Sequence, residues 1–253
     1  MITPVPLFNY FGFLLDPANW GWSDGSIPQR LVEHLGYTVL AVLIAAAIAL
    51  PIGLLIGHTN RGAFLAINIG NAGRALPTFG LLSLMVVLMG TGLVPALIAL
   101  VVLAVPPILA STYAGIRAVD RSAVDAAVGM GMRPTEVLFR AEVPMALPLI
   151  MSGLRSSTLQ VCATATVAAY VGLGGLGRFL IDGLARNQYD QVFAGAVLVA
   201  ALAIALDLAG AGLERAVVSP GVRQRGSARR GRRRGARSTD TSTQEAPTAS
   251  TAG

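Results

Sequence analysis

The sequence has no lysine, one cysteine, two histidines and few charges of either sign. Charged residues make up 13% of the 253, against about a quarter in an ordinary soluble domain, while 54% are hydrophobic. With a mean hydropathy of +0.65, that balance excludes a water-soluble domain and points to an all-α integral membrane protein. The lone Cys162 excludes a disulfide framework and a cysteine-based metal site. It lies in an apolar run and reads as a small buried hydrophobe. His34 and His58 stand at opposite ends of the first long apolar run. No serine, histidine and acid cluster and no metal-ligand spacing accompanies them, so an enzyme working inside the membrane has no support and neither cofactor nor metal is expected. No basic n-region precedes the first long apolar run, so no cleaved signal peptide is expected.

What is there is arranged in apolar blocks. Residues 1–34 mix aromatics with turn formers (Phe8, Phe11, Phe13, Pro17, Trp20, Trp22, Gly25, Pro28), the composition of a lead-in lying against lipid headgroups. Leu35 to Gly57 is uncharged. Since about 20 helical residues cross a hydrocarbon core of about 30 Å, it is long enough to span. Ala75 to Ile116 is also uncharged and is interrupted at Gly90-Thr91-Gly92 and Pro95, which divides it into spans over 64–89 and 93–113. Arg74 belongs either at the membrane interface or on a pathway, because a cation inside a bilayer is costly. Pro106 and Pro107 free backbone carbonyls within the third span, tolerable where neighbouring groups re-satisfy them. Residues 145–170 and 191–213 complete five expected spans, the last carrying Asp207, which reads as the partner of a neighbouring helix. Residues 35–213 thus form the transmembrane domain.

Residues 214–253 are a basic tail, RQRGSARRGRRRGAR and onward, with almost no large apolar residue, and are expected to be disordered. Beside a membrane span such a polybasic segment reads as a partner of anionic lipid in the bilayer; no nucleic acid is implied. Five spans place the termini on opposite sides. Putting the tail in the cytoplasm collects Arg61, Arg117, Arg121, Arg133 and Arg140 there, against Arg30, Arg178 and Arg186 outside, as the positive-inside rule favours.

Two polar interruptions carry pattern. The outer one contains Gly172, Gly174, Gly175 and Gly177, a literal G-x-G-x-x-G across three of them. The apolar run before it is helix-length, and no alternation of strand and helix surrounds it, so a dinucleotide-binding turn is rejected. Glycines there suit a re-entrant or interfacial backbone packed closely at the outer end of two spans. The cytoplasmic interruption, Asp125 to Pro144, reads DAAVGMGMRPTEVLFRAEVP. Ser122 followed by Asp125 has the form of a capping box. Ala126 and Ala127 continue the helix, Gly131 ends it, and Pro134 opens a second short helix with Glu136 in its first turn. Pro144 closes the unit ahead of the fourth span. The residues fit equally a surface loop or a pair of capped helices offered to a partner's groove.

Asp125-Ala126-Ala127, then Gly131, then Ala141-x-Val143-Pro144 resembles the E-A-A, Gly, I-x-L-P signature of permease subunits in binding-protein-dependent ABC importers. Asp125, Ala141 and Val143 depart from the usual Glu, Ile and Leu. The stretches ALPTFGLLSL (75–84), PPILASTYAGI (106–116) and TATVAAYVGLGGLGRFLIDGL (164–184) are similar to the osmoprotectant branch of that family. The resemblance covers about residues 30–215. It implies a type I importer permease core of about five transmembrane helices with a cytoplasmic coupling helix, in a bacterial plasma membrane. It also implies the partners: cytosolic ABC ATPase subunits, a second permease subunit (a copy or a paralogue) and an extracytoplasmic solute-binding protein. Asp125, Ala126, Ala127, Gly131 and Pro144 would form the ATPase-coupling site. The cargo would be glycine betaine, choline, carnitine or proline, with another small solute such as methionine, or a non-transporting scaffold, as alternatives. Quaternary ammonium groups are held by aromatic cages. With aromatics at 6% and gathered mostly in the lead-in, no tight cage is expected in the spans. Phe79, Tyr113 and Tyr170 are the candidate pathway linings.

Overall fold

The computed structural model describes residues 10–75 and 77–218, the side chains of 65 and 72–75 excepted. Residues 219–253 of the expected tail and the side chain of Arg74 therefore lie outside the described residues. Every regular element among those described is helical. A short lead-in helix α1 (Gly12–Leu15) and a 3-10 turn (Pro17–Trp20) precede α2 (Ile27–Thr59). Then come α3 (Ala63–Ala75), α4 (Thr78–Met89), α5 (Leu93–Arg117), α6 (Arg121–Gly129), α7 (Pro134–Val137), α8 (Val143–Ala168), α9 (Gly177–Arg186) and α10 (Tyr189–Val217).

Among the described residues four helices are long and apolar enough to cross a bilayer: Ile27–Thr59, Leu93–Arg117, Pro134–Val171 and Tyr189–Val217. The single span expected over 64–89 is divided into α3 and α4, of 13 and 12 residues. Pro77 stands at the division, as the N-cap of α4. Proline has no N–H to give to a continuing helix. The first helix begins at Ile27, eight residues ahead of the uncharged run, and so carries Arg30, Glu33 and His34 within it. The helix expected from 145 starts at Pro134, because α7 passes through a π-turn (Leu138–Glu142) directly into α8.

α2, α5 and α8 form the centre of the bundle. The stripe Ala41, Ala45, Ala49 on α2 recurs every fourth residue and so lies on one helix face. It meets Leu100, Ala104 and Ile108 of α5 and Val161 and Ala165 of α8, all buried. Small side chains let the axes approach closely, the packing that works where lipid removes the hydrophobic drive between helices. At Gly57 a Cβ would stand 2.7 Å from Cβ of Ile116, so α2 and α5 touch almost backbone to side chain there. The Pro106-Pro107 pair does not interrupt α5, and beside it the Ser157 hydroxyl donates to the carbonyl of Ala104 at 3.1 Å, joining α8 to α5. α9 and α10 pack on the α8 side. The lead-in is pinned to them by ring contacts: Phe11 meets Phe193 at 5.1 Å and Phe13 meets Phe179 at 5.3 Å.

α2 fixes the bundle's two ends. Its Glu33 touches the glycine loop and its His58 touches Glu142 at the foot of α8. At 1.5 Å per residue these two contacts are roughly 37 Å apart, so the glycine loop and the α6–α7 segment occupy opposite ends.

Candidate functional site

The segment between α5 and α8 is built from caps outward. α6 is capped by Asp120, whose carboxylate accepts from the N–H of Ser122 at 3.1 Å. The expected Ser122/Asp125 capping box is therefore corrected: Asp120 already occupies the N-cap, which places Ser122 inside the first turn, where its hydroxyl is not the capping group. α6 closes with Gly131 in the left-handed region (φ +84), its N–H on the carbonyl of Val128 at 2.9 Å and that of Met132 on Ala127 at 3.3 Å. Glycine is favoured at such a helix end because it has no Cβ to oppose that geometry. Pro134 then starts α7, and the Glu136 carboxylate turns back to accept from the N–H of Arg133 at 2.9 Å.

α7 is not a free-standing second helix. It continues through the π-turn into α8, and Pro144, expected to close the segment, lies inside that continuous helix at the first turn of α8. In an ordinary α-turn the proline ring would crowd the carbonyl four residues back; the widened turn carries the chain past it. Ala141 lies in the π-turn itself. The segment is seated by apolar contacts: Val124 and Leu138 pack against the buried cluster Ile116, Val119, Ala146 and Ile150, and Ala127 is buried. Asp125 and Ala126 face outward. So do Val128, Met130 and Phe139, at 58%, 73% and 62% exposure, which makes an apolar surface on a segment whose caps hold it rigid.

The other end is a buried latch. Gly172 and Gly175 have φ of +87 and +80, and the turn they make folds Leu173 and Leu176 inward, both buried. The N–H of Gly175 donates to Oε2 of Glu33 at 2.8 Å, and the same oxygen takes Nη1 of Arg30 at 3.0 Å. Gly175 lies against His34, whose Nε2 donates to the carbonyl of Cys162 at 3.0 Å; a carbonyl can only accept, which fixes the proton on that nitrogen. A Cβ on Gly174 would meet Glu33, and one on Gly177 would meet the carbonyl of Thr166. Helix α8 and a 3-10 turn precede Gly172, where a dinucleotide fingerprint would need a strand. Cys162 is fully buried.

Of the pathway candidates, Phe79 and Tyr170 meet edge to face at 6.0 Å, each more than half exposed. Tyr113 does not join them. It lies roughly 20 Å further along α5 than Ala99, which with Ala96 shares a buried cluster with Ala168 at the Tyr170 end.

Sequence reasoning expected a neighbouring-helix partner for Asp207 without naming it, and it missed a second contact between helices. Arg155 on α8 reaches Asp207 at 2.7 Å and Glu214 at 3.0 Å on α10, so Asp207 is paired with a neighbouring helix. Gly210 clears the space, since its Cβ would stand 2.8 Å from Cγ of Arg155. Asp207, Gly210 and Glu214 recur at three and four residues, one helix face, and that spacing was the signal available. The second is His58 Nδ1 against Glu142 Oε2 at 2.6 Å.

Comparison with known proteins agrees with this architecture. The family model described as "Binding-protein-dependent transport system inner membrane component" matches residues 49–219. The chain is 36% identical over 202 residues to the choline transport system permease protein OpuBB of Bacillus subtilis (strain 168), covering 80% of this chain and 93% of that relative. It is 34% identical to the carnitine transport permease protein OpuCB of Listeria monocytogenes, covering 76% and 88%. Among solved structures, the inward-facing MetNI methionine ABC transporter superposes with a TM-score of 0.65 at 24% identity, over 76% of this chain and 96% of that one, which establishes the fold as that of a type I ABC importer permease. With the family model matching well over half of its length, the chain belongs to the inner membrane components of binding-protein-dependent transport systems, the permeases of ABC importers.

Proposed function

We propose that this chain is the permease subunit of an ATP-driven importer for osmoprotectants, the small quaternary ammonium solutes and their relatives such as choline, carnitine, glycine betaine and proline. The observation that carries the reading is the pair of relatives named for choline and carnitine, at 36% and 34% identity over most of both chains. In this family ATP hydrolysis belongs to a separate subunit. The chain's own work is mechanical: two permease subunits, identical or paralogous, enclose the pathway, and an extracytoplasmic binding protein delivers the solute.

The outward-facing Asp125, Ala126, Val128, Met130 and Phe139 dock the cytosolic ATPase, with Ala127 and Gly131 fixing the shape they present. Closure of the ATPase pair then moves the segment as a body and alternates the openings. The end of the bundle that carries α6 and α7 also carries Arg61, Arg117, Arg121, Arg133 and Arg140, whereas the glycine-loop end carries Arg30, Arg178 and Arg186. That asymmetry supports a cytoplasmic α6–α7 segment and C-terminus, with the N-terminus outside. The Phe79–Tyr170 pair, near the outer end, lines the route. The test is uptake of labelled choline, glycine betaine, carnitine, proline and methionine by vesicles holding the chain with its ATPase and binding protein. ATP-dependent uptake of a quaternary ammonium solute is expected; uptake of methionine alone would place the chain in another branch of the family.

A further inference from the structure

Where α2 ends beside the π-turn, a histidine and a glutamate 84 residues apart meet. His58 Nδ1 donates to Glu142 Oε2 at 2.6 Å, and Glu142 is only 5% exposed. A carboxylate taken out of water is expensive unless it is hydrogen-bonded, and its chain neighbours Leu138, Val143 and Ala146 already join the apolar cluster of Ile116, Val119 and Ile150. Packing of that kind holds surfaces together without fixing a direction. A hydrogen bond does fix one.

Glu142 is also the last residue of the π-turn. Such a turn carries one residue more than the α-helix needs and is a point where a helix can change direction. On one side of it lie α6 and α7, with their exposed apolar face; on the other lies α8, locked into the bundle core.

We propose that the His58–Glu142 hydrogen bond tethers the α6–α7 segment to α2. A displacement of that segment is then delivered to the helical bundle instead of being absorbed at the π-turn. His58 and Glu142 are positioning residues that act through the segment they join. Beyond the tether, α2 is one continuous helix from Ile27 to Thr59, packed tightly on α5 at Gly57, and its other end holds the glycine loop through Glu33. The tether thus ties the docking segment to a helix that reaches from one end of the bundle to the other.

The inference rests on α6–α7 being the ATPase-docking segment, and the experiment separates the two claims. Wild-type chain is first co-purified with its ATPase subunit; failure there overturns the docking reading itself. In reconstituted vesicles the number read is solute taken up per ATP hydrolysed, with the thermal midpoint of each complex measured alongside. His58→Asn puts an amide N–H near the place of Nδ1 and is expected to keep the ratio. His58→Gln, whose amide reaches towards the Nε2 position, and His58→Ala are expected to lower it about fivefold or more, the usual scale of coupling between sites. A double variant, His58→Leu with Glu142→Leu, leaves no buried group without its partner and is expected to lower the ratio at an unchanged midpoint. A normal ratio in the double variant, an equal loss in His58→Asn and His58→Ala, or a ratio that falls only together with the midpoint overturns the tether.

Discussion

The two ends of the bundle solve opposite problems with similar materials. Each has glycine in the left-handed region and a carboxylate on α2 or facing it: Gly175 with Glu33 at one end, Gly131 with the His58–Glu142 pair at the other. At the glycine-loop end the turn is folded inward, Leu173 and Leu176 are buried, and the carboxylate bonds the loop backbone directly. At the other end the glycine has open space around it, the surrounding side chains face out, and the carboxylate bonds a side chain behind the segment. A turn packed on all sides resists movement, whereas a capped segment with an exposed apolar face can move as a unit against a partner. Substitutions at the loop end should therefore act through the fold, and those at the α6–α7 end through function.

The largest effect is expected at Gly177. Any side chain there must displace the carbonyl of Thr166, a backbone atom that cannot rotate away. Gly177→Val should destabilise the protein by about 3 kcal/mol, the upper range for overpacking a filled core, read as a lower thermal midpoint in detergent. A midpoint within a degree of wild type would show that the loop end yields easily and would dissolve the contrast. Glu33→Ala comes next. It leaves the N–H of Gly175 without its acceptor and Arg30 without its partner, at a cost of about 2 kcal/mol. Uptake should fall only as far as folded protein falls. Glu33→Gln, which keeps an acceptor oxygen, should recover most of the loss.

The same contrast explains which features were legible in the sequence. The uncharged runs announced the helices because membrane burial demands long apolar stretches with internally satisfied backbones. The α6–α7 segment was visible because caps and helix ends are local: Gly131 and Pro134 act on their own neighbours. Asp120 shows the limit, since one cap residue was mistaken for another only two positions away. The division at Pro77 was local as well, yet the unbroken hydropathy on either side concealed it. That Asp207 would meet a neighbouring helix was legible, but neither its partner Arg155 nor the meeting of His58 with Glu142 was, because periodicity tells which face of a helix is apolar and not which helix it will meet. The charged start of α2 was placed in the lead-in for a related reason. Arg30, Glu33 and His34 look like the end of a membrane span until the glycine loop is seen to receive them.

The smallest effect on stability, and the sharpest test of the contrast, belongs to Gly131. Nothing lies within 4 Å of the place a Cβ would occupy, so packing cannot oppose a substitution; only the left-handed backbone (φ +84) can. Gly131→Ala should cost about 1 kcal/mol, the penalty of that conformation for an ordinary residue, and Gly131→Asn less, because asparagine enters that region more readily. Uptake should follow the same order, Gly above Asn above Ala, since a strained helix end shifts Met130 and Val128 on the exposed face. Gly131→Leu has the backbone penalty of Ala and adds bulk to the face itself, and should lose uptake well beyond Ala at a similar midpoint. Asp125→Lys, which reverses a charge on that outward surface without touching the cap at Asp120, should likewise abolish uptake while the protein still inserts. Equal uptake in the Ala and Leu variants would mean that no partner meets this face.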